Sequence, residues 1–122
     1  MCGIIAYVGQ AEATPILLDG LRRLEYRGYD SSGIAVGHNG GLEIRKSVGR
    51  IQDLVQLLGE EPVHGTCGLS HTRWATHGAV TEENAHPHTD QSGRIVLVHN
   101  GVIENYQQLR QELELEGHTF HS

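Results

Sequence analysis

Cys2 is the residue with the clearest chemical potential, because it becomes the N-terminal residue once Met1 is removed. It would then carry a thiol nucleophile and a free α-amine on one Cα. α-Amines in general have a pKa of about 7.7–8.0, so such an amine can act as a general base near neutral pH. An N-terminal amine that activates its own side chain is an established route to nucleophilic catalysis. The alternative is structural, since a free cysteine also packs as a small apolar side chain at the start of a buried strand.

A second group of polar side chains lies between Ser70 and Gly78, at the end of a predicted strand, where rigid scaffolds often place functional groups. Arg73 presents a planar pair of donors that matches a carboxylate, so it could fix the α-carboxylate of an amino acid. Thr76 and His77 could add hydrogen bonds. A strand whose polar side chains face water is the alternative. The sequence Arg-Trp-Ala-Thr-His-Gly is richer in recognition groups than such a strand needs.

Asn100 and Gly101 follow another predicted strand. The side-chain amide of Asn100 and the backbone N–H of Gly101 form a compact pair of donors, of the kind that stabilises the oxyanion of acyl transfer. Losing one donor of such a pair typically lowers turnover by about 10²–10³. Asn-Gly is also a common hairpin turn, and this alternative stays open.

Two further segments admit both chemical and structural interpretations. Residues 22–33 are dense in charges and aromatic rings and are expected to form a solvated helix end, where arginines are favoured. Several histidines raise the question of a metal site, namely His71, His77, His86, His88 and His99. Zinc ligands usually follow tight spacings, which the proline-separated pair His86 and His88 does not fit. We therefore expect no metal or other cofactor, and we expect His86 to shape the loop of residues 78–93. Cys67 lies within a predicted strand and is expected in the core.

The bulk composition limits the class of protein. The chain has 122 residues, 38% of them hydrophobic and 20% charged, which is typical of one globular domain or part of one. Its net charge of -6 argues against nonspecific nucleic-acid binding, which requires a basic surface. No apolar run is long enough to span a bilayer, and no secretory signal pattern opens the chain. The two cysteines, Cys2 and Cys67, favour a reducing, cytoplasmic setting over a disulfide framework.

Apolar periodicity predicts the elements that position these groups. Strands are predicted at residues 2–9, 33–37, 42–48, 65–74 and 94–99, with the start of another at 118–122. Helices are predicted from Thr14, as the N-cap, to Gly28, over residues 51–58, and from Asn105, in a capping box with Gln108, to Gly117. Asn39-Gly40 predicts a tight hairpin turn between two strands. Hairpins that alternate with helices indicate an α+β fold in which helices pack on sheets.

Taken together, five motifs resemble the N-terminal glutaminase domain of the glutamine–fructose-6-phosphate aminotransferase family, in the same order and over essentially the whole chain. The motifs are Cys2-Gly3-Ile4, residues 27–33 (Arg-Gly-Tyr-Asp-Ser-Ser-Gly), residues 71–78 (His-Thr-Arg-Trp-Ala-Thr-His-Gly), residues 84–88 (Asn-Ala-His-Pro-His) and His99-Asn100-Gly101. Other N-terminal-nucleophile amidotransferases share the Cys-Gly-Ile start. The segments 24–30 and 72–77 are the specific elements of the resemblance.

The resemblance implies an N-terminal-nucleophile hydrolase fold, a four-layer αββα sandwich, that hydrolyses L-glutamine to glutamate and ammonia. Cys2 would attack the side-chain amide with its own α-amine as the base. Asn100 and Gly101 would form the oxyanion hole, after which water would cleave a γ-glutamyl thioester. Arg73 would bind the substrate carboxylate. The other positions carried over are Trp74, Thr76 and His77 for substrate binding, and Arg27 and His86 as supporting residues around the nucleophile.

In this family the domain sends ammonia to a C-terminal sugar isomerase domain, which converts fructose 6-phosphate to glucosamine 6-phosphate. The resemblance therefore implies L-glutamine and an isomerase domain as partners in a cytoplasmic homodimer, with neither nucleic acid nor a membrane. An aspartate-containing turn that binds the substrate amine follows the position of Ser122 in the family. We therefore expect residues 1–122 to be an incomplete N-terminal portion of the domain, poorly stable and with little or no glutaminase activity on its own.

Other interpretations of the same residues stay open. The chain could be a complete short glutaminase, with Asp30 or Glu104 binding the substrate amine. It could also be the glutaminase of another class II amidotransferase. It could be a non-catalytic module that only binds or folds. A metal-binding protein is a further possibility, and its function would not depend on Cys2 being N-terminal.

Overall fold

A four-stranded antiparallel sheet organises the computed structural model, which describes all 122 residues. Its strands are β1 (Gly3–Val8), β2 (Ser31–His38), β3 (Gly41–Val48) and β4 (Cys67–Arg73), in the spatial order β1-β4-β2-β3. A second, two-stranded sheet consists of β5 (His88–Thr89) and β6 (Val96–Leu97). The helices are α1 (Ala13–Leu24), continued by a 3₁₀ turn over Glu25–Arg27, α2 (Ile51–Glu60) and α3 (Tyr106–Leu115).

The hydrophobic core lies between one face of the four-stranded sheet and the helices α1 and α2. Leu17 and Leu21 recur one turn apart on α1, and Ile51 and Leu54 share one side of α2, so each helix presents an apolar stripe. These four side chains are at most 1% exposed and form one cluster with Ile34 of β2. Burying one such side chain fully contributes about 1.5–3 kcal/mol. This packing therefore fixes the sheet against the helices.

β4 lies between β1 and β2 and has two chemically different faces. A Cβ at Gly68 would lie 2.9 Å from the Leu17 side chain, and the Ser70 hydroxyl donates to the Leu17 carbonyl at 3.4 Å, so both residues face α1. Successive side chains of a strand point to opposite faces. His71 and Arg73 therefore point away from α1, and both are buried. The apolar core thus anchors a strand whose other face carries polar groups.

The turn predicted at Asn39-Gly40 and the helix end predicted at Gly28 are both confirmed. Asn39 and Gly40, which join β2 to β3, have φ values of 44° and 79°. A type I′ hairpin turn requires positive φ at both of these positions. Gly28 has a φ of 80° and ends the helical segment that begins with α1, as its position in the sequence predicts.

Two predicted helix caps differ from the structure. α1 begins one residue before Thr14, whose hydroxyl donates to the Val63 carbonyl at 2.8 Å instead of capping the helix. Asn105 occupies the N-cap of α3, but its side chain makes no capping hydrogen bond. Gln108 donates to Glu112 at 2.9 Å, so the side chain that would complete the capping box is used one turn further along.

The predicted strands in the last third of the chain are shorter or missing, and Cys67 is misplaced. Within residues 94–99 only Val96–Leu97 pair, because the partner strand β5 has only two residues. Residues 118–122 form no strand. Cys67 is exposed rather than in the core, because it is the first residue of β4 and lies at the end of the sheet.

Several apolar side chains outside the core are exposed. α3 buries none of its residues, and its predicted stripe, Leu109 and Leu113, is 38% and 37% exposed. Ile4 of β1 is 41% exposed. The predicted four-layer sandwich is represented by one pair of helices, one four-stranded sheet and the short β5–β6 pair. No helix has both the length and the apolar character needed to cross a membrane.

Candidate active site

A cleft of about 260 Å³ lies at the C-terminal end of β4. Seven of the nine predicted site residues line it, namely Cys2, Arg73, Trp74, Thr76, His77, His86 and Gly101. Asn100 and Arg27 do not line the cleft but contact the residues at its edge. Small-molecule sites usually measure about 300–1,000 Å³, so this cleft suits a ligand of amino-acid size.

Cys2 lies at the edge of the sheet, directly before β1. The pairing of β1 with β4 aligns Gly3 with Thr72 and so brings the preceding residue, Cys2, beside the end of β4. The Trp74 backbone N–H donates to Cys2 Sγ at 3.3 Å, and the thiol is partly exposed. A thiol that accepts a backbone N–H and still reaches a cleft is well placed to act as a nucleophile.

The N-terminal ammonium of Met1 is held by the chain end of the first helical segment. It donates to the carbonyl oxygens of Arg27 and Gly28 at 2.9 and 2.8 Å. The Arg27 guanidinium lies 3.9 Å from Met1 Sδ. Arg27 therefore contacts the N-terminal segment through both its backbone and its side chain, beside the nucleophile rather than in the cleft.

Asn100 and Gly101 lie on a loop next to Cys2. Asn100 Nδ2 donates to the Cys2 carbonyl at 3.4 Å, and Asn100 Oδ1 lies 2.7 Å from His71 Nε2. Gly101 has a φ of 154°, and a Cβ there would lie 3.1 Å from the His99 ring. A side chain at this position would therefore be strained and crowded. The Asn-Gly pair does not form a hairpin turn, because β6 pairs with β5 and not with a strand that follows it.

The Arg73 guanidinium stabilises the loop that follows β4. It is only 8% exposed, and it donates to the carbonyl oxygens of Ala79, at 3.0 Å, and His77. A guanidinium carries five N–H donors, so these two contacts leave donors for a carboxylate. The sequence predicted the carboxylate-binding chemistry of this residue but not its contacts with the loop.

Asp30 holds the start of the same loop. Its carboxylate accepts the Ala75 backbone N–H at 2.6 Å, and its own backbone N–H donates to the Arg73 carbonyl at 2.8 Å. From the sequence, the role that stayed open for Asp30 was to bind a substrate amine. Asp30 directly precedes β2, and β2 pairs with β4, so Asp30 lies beside the residues that follow β4. This position in the sequence could have predicted its contact with Ala75.

The side chains of Trp74, Thr76 and His77 form the wall of the cleft that can change shape most easily. Trp74 is 52% exposed, and Thr76 and His77 are also exposed. Thr76 Oγ1 lies within hydrogen-bond distance of His77 Nδ1, at 3.1 Å. These three residues are therefore available to a ligand without loss of core packing.

Three histidine rings pack in a row next to the cleft, with His71 tilted against His86 and His86 edge-on to His88, and this row is called the histidine stack below. The ring centroids of His71 and His86 are 4.3 Å apart, and those of His86 and His88 are 4.4 Å apart. Burial lowers the pKa of His71, and burial together with the neighbouring histidines lowers the pKa of His86 to about 3. Burial and the charge of Lys46 lower the pKa of His88 to about 4. The three rings are therefore neutral at neutral pH.

The stack includes His71, which the sequence marks only as one of several histidines that raise the question of a metal site. His86 lies in the loop before β5, and its ring packs on that of His71 in β4. His71 precedes Arg73 by two positions, a spacing that places both on one face of a strand and could have identified it. No group of three or more histidine, cysteine, aspartate or glutamate side chains is arranged to hold a metal ion.

The chain is similar to known amidotransferases in sequence. The profile of the family described as "Glutamine amidotransferase domain" matches residues 56–122. The glutamine–fructose-6-phosphate aminotransferase (isomerizing) of Thermus thermophilus is 58% identical over all 122 residues, and that of Pyrococcus horikoshii is 53% identical over the same length. The chain spans about one fifth (20%) of the length of each of these relatives.

Two solved structures share the fold. The glutamine phosphoribosylpyrophosphate amidotransferase from B. subtilis, complexed with ADP and GMP, superposes with a TM-score of 0.80 at 31% identity. A structure described as the allosteric regulatory enzyme of purine biosynthesis superposes with a TM-score of 0.82 at 32% identity. Each match covers 98% of this chain and 26% of the other. These likenesses confirm the predicted N-terminal-nucleophile fold.

Proposed function

This chain belongs to the glutamine amidotransferase domain family, and we propose that it hydrolyses L-glutamine to L-glutamate and ammonia with Cys2 as the nucleophile. One observation carries the proposal. The Cys2 thiol, the Asn100 amide and the Gly101 backbone meet beside one cleft, although nearly the whole chain separates them in sequence. Nothing in the apolar core requires this convergence.

Removal of Met1 frees the α-amine of Cys2, which can then serve as the base for glutamine hydrolysis. Cys2 Sγ attacks the side-chain amide carbon of glutamine, and the thiol proton passes to the freed α-amine. The C–N bond then breaks, the amine returns its proton to the leaving nitrogen, and ammonia departs from a γ-glutamyl thioester. A water molecule attacks this thioester, the α-amine accepts a proton from the water, and glutamate leaves as the thiol is restored.

Two donors support the oxyanion of both steps. Asn100 Nδ2 already points at the backbone of the nucleophile, 3.4 Å from the Cys2 carbonyl oxygen. The Gly101 N–H makes no hydrogen bond within the protein. Gly101 lines the same cleft as Cys2. Donors positioned before the reaction stabilise developing charge without a reorganisation cost.

The substrate's other end is assigned to the loop after β4. Arg73 supplies the cation for the α-carboxylate, with donors beyond the two that hold the loop. Trp74, Thr76 and His77 line the cleft and contribute contacts to the body of glutamine. Arg27 and His86 support the site from behind, through the N-terminal segment and the histidine stack.

For the whole gene product we propose the synthesis of glucosamine 6-phosphate from L-glutamine and fructose 6-phosphate. The relatives named glutamine–fructose-6-phosphate aminotransferase are 53–58% identical over the chain, against 31% for the glutamine phosphoribosylpyrophosphate amidotransferase. This difference favours the amino-sugar reaction over the purine one. The proposal includes a sugar isomerase domain that receives the ammonia, a homodimeric assembly and a cytoplasmic location.

Glutamate release by the complete gene product tests the glutaminase step. Cys2→Ala should abolish glutamate release, and a glutamine-analogue electrophile should label the unsubstituted protein once, at Cys2. Cys67→Ala is the matched control, because Cys67 is exposed outside the cleft and should leave turnover unchanged. The intact mass should show that Met1 is absent. Robust turnover in Cys2→Ala would overturn the proposal. The 122 residues alone should release little glutamate, since apolar side chains such as Ile4 are left exposed.

A further inference from the structure

We propose that His71 is a positioning residue that holds the Asn100 amide with its NH₂ end toward the nucleophile. The proposal rests on the glutaminase function given above. Asn100 acts as an oxyanion donor only in this orientation, because its carbonyl end would repel a developing negative charge. The terminal torsion of an asparagine side chain has broad, roughly two-fold preferences. Another group must therefore select one of the two orientations.

His71 is the group that contacts the other end of this amide. Its Nε2 lies 2.7 Å from Asn100 Oδ1, an ordinary hydrogen-bond distance, while Asn100 Nδ2 is directed to Cys2. The backbone of His71 is paired on both sides, with Ile4 of β1 and Gly33 of β2. The ring is fully buried. The selecting group thus belongs to the most constrained strand, whereas Asn100 belongs to a loop.

The protonation of the ring follows from its two nitrogens. Nδ1 of His71 is buried and has no hydrogen-bond partner. An orphaned buried N–H is rarer and more costly than an unpaired acceptor. The proton therefore resides on Nε2, which makes His71 the donor and the Asn100 oxygen the acceptor. The opposite tautomer would accept from the amide nitrogen and turn the carbonyl toward Cys2.

The ring is also held in place by packing. His86 stacks on His71 with an interplanar angle of 31°. The backbone of His86 approaches β2 at Gly33, where a side chain would collide with the His86 carbonyl oxygen. The stack therefore fixes the plane of the His71 ring, and with it the direction of the Nε2–H bond.

Two substitutions of similar size separate positioning from packing. In His71→Gln the amide nitrogen reaches close to the place of Nε2 and can still donate to Asn100. In His71→Asn the side chain is one carbon shorter and cannot. In the complete gene product we expect kcat for glutamate release to fall by about 10²-fold in His71→Asn, as for loss of an oxyanion donor. We expect His71→Gln to recover most of this loss. KM for glutamine should stay within about threefold in both.

A double-mutant cycle with Asn100→Ala provides the decisive readout. If His71 acts through Asn100, His71→Asn should lower kcat no further once the Asn100 amide is gone. Equal loss in both backgrounds, or an unchanged kcat in His71→Asn, would overturn the inference. Should His71→Asn fail to fold, the kcat of His71→Gln decides: it should stay within about tenfold of the unsubstituted value, and a loss of about 10²-fold in a folded His71→Gln protein would overturn the inference, because its amide can still donate to Asn100. If the unsubstituted protein releases no glutamate, the proposed function fails first.

Discussion

Gly33 is the position where a single added methyl group should disturb both the fold and the site. It lies on β2, and a Cβ built there would fall well inside van der Waals distance of the His86 carbonyl oxygen and 3.1 Å from Lys46 Cγ. Real Cβ atoms essentially never approach another heavy atom to less than 3.0 Å. In Gly33→Ala the loop that carries His86 must therefore move away from the sheet by about 1 Å.

The size of the effect follows from what must move. The obstructing atom is a backbone carbonyl, and Lys46 donates to the adjacent Ala85 carbonyl at 2.9 Å, so the loop cannot swing aside like a flexible side chain. Overpacking of this kind usually destabilises by about 1–3 kcal/mol. A misplacement of about 1 Å near the reacting groups can lower turnover by about 10²-fold. Because His86 stacks on His71, we expect kcat to fall along with the free energy of unfolding.

The assay compares Gly33→Ala with Gly59→Ala in the complete gene product. Nothing lies within 4 Å of a Cβ at Gly59, which is in α2, so this control should stabilise by about 0.5–1 kcal/mol through helix propensity. The free energy of unfolding is measured by denaturant titration, and hydrogen exchange of peptides covering residues 31–38 and 81–89 locates the change. Glutamate release gives kcat for the same samples.

The reasoning would be refuted by a Gly33→Ala protein that unfolds at the unsubstituted midpoint and keeps its kcat. A protein that is destabilised but fully active would show that the loop moves without disturbing the histidine stack. In that case the link from β2 to the catalytic groups would be wrong, although the steric estimate would hold. Destabilisation in the Gly59→Ala control as well would indicate a general intolerance of substitution.

Two further predictions concern acid and the arginine of the cleft. The pKa values of His86 and His88 fall from about 6.5 when unfolded to about 3 and about 4 when folded, so protonation favours the unfolded state. Their contribution to stability should be present above about pH 6.5 and lost as the pH falls to about 4 for His88 and about 3 for His86. His88→Gln should flatten part of this decline in the denaturant midpoint. Arg73→Lys should raise KM for glutamine about tenfold or more. One ammonium group cannot hold the carbonyl oxygens of His77 and Ala79 and also bind a carboxylate through two hydrogen bonds. An unchanged KM in steady-state assays would exclude the carboxylate role.

Elements set by local sequence were predictable, whereas those set by distant partners were not. The turn at Asn39-Gly40 follows from two residues that accept positive φ, and Leu17 and Leu21 mark the buried side of α1 without reference to the rest of the chain. The strand predicted at 94–99 is reduced to Val96–Leu97 because a strand exists only as far as a neighbour pairs with it. Cys67 was placed in the core because alternation gives the face of a strand but not how much covers its end.

The site shows the same division. Cys2, Arg73 and Asn100 can be singled out from the sequence because their side-chain chemistry is unusual next to apolar strands, and their roles stay predictions. The contact between His71 and Asn100 was not, since it spans 29 positions and depends on the path of the loop between them. The two loop carbonyls that Arg73 binds could not be predicted from the sequence, because any backbone offers carbonyl oxygens.

β4 pairs with β1 on one side and with β2 on the other, and this position affects the order in which parts of the site are lost on heating. The backbone of His71 lies between two paired neighbours and is released only when the sheet opens. The Gly101 backbone N–H makes no backbone hydrogen bond, and Asn100 lies on an exposed loop. Local opening free energies span the range from near zero to the global value within one protein. The two proposed oxyanion donors therefore belong to the least protected part of the molecule, whereas His71, the proposed positioning residue of Asn100, belongs to the most protected part. Moderate heating should separate the loop of Asn100 and Gly101 from His71 while the sheet is still folded. Loss of activity should therefore occur at a lower temperature than unfolding of the protein.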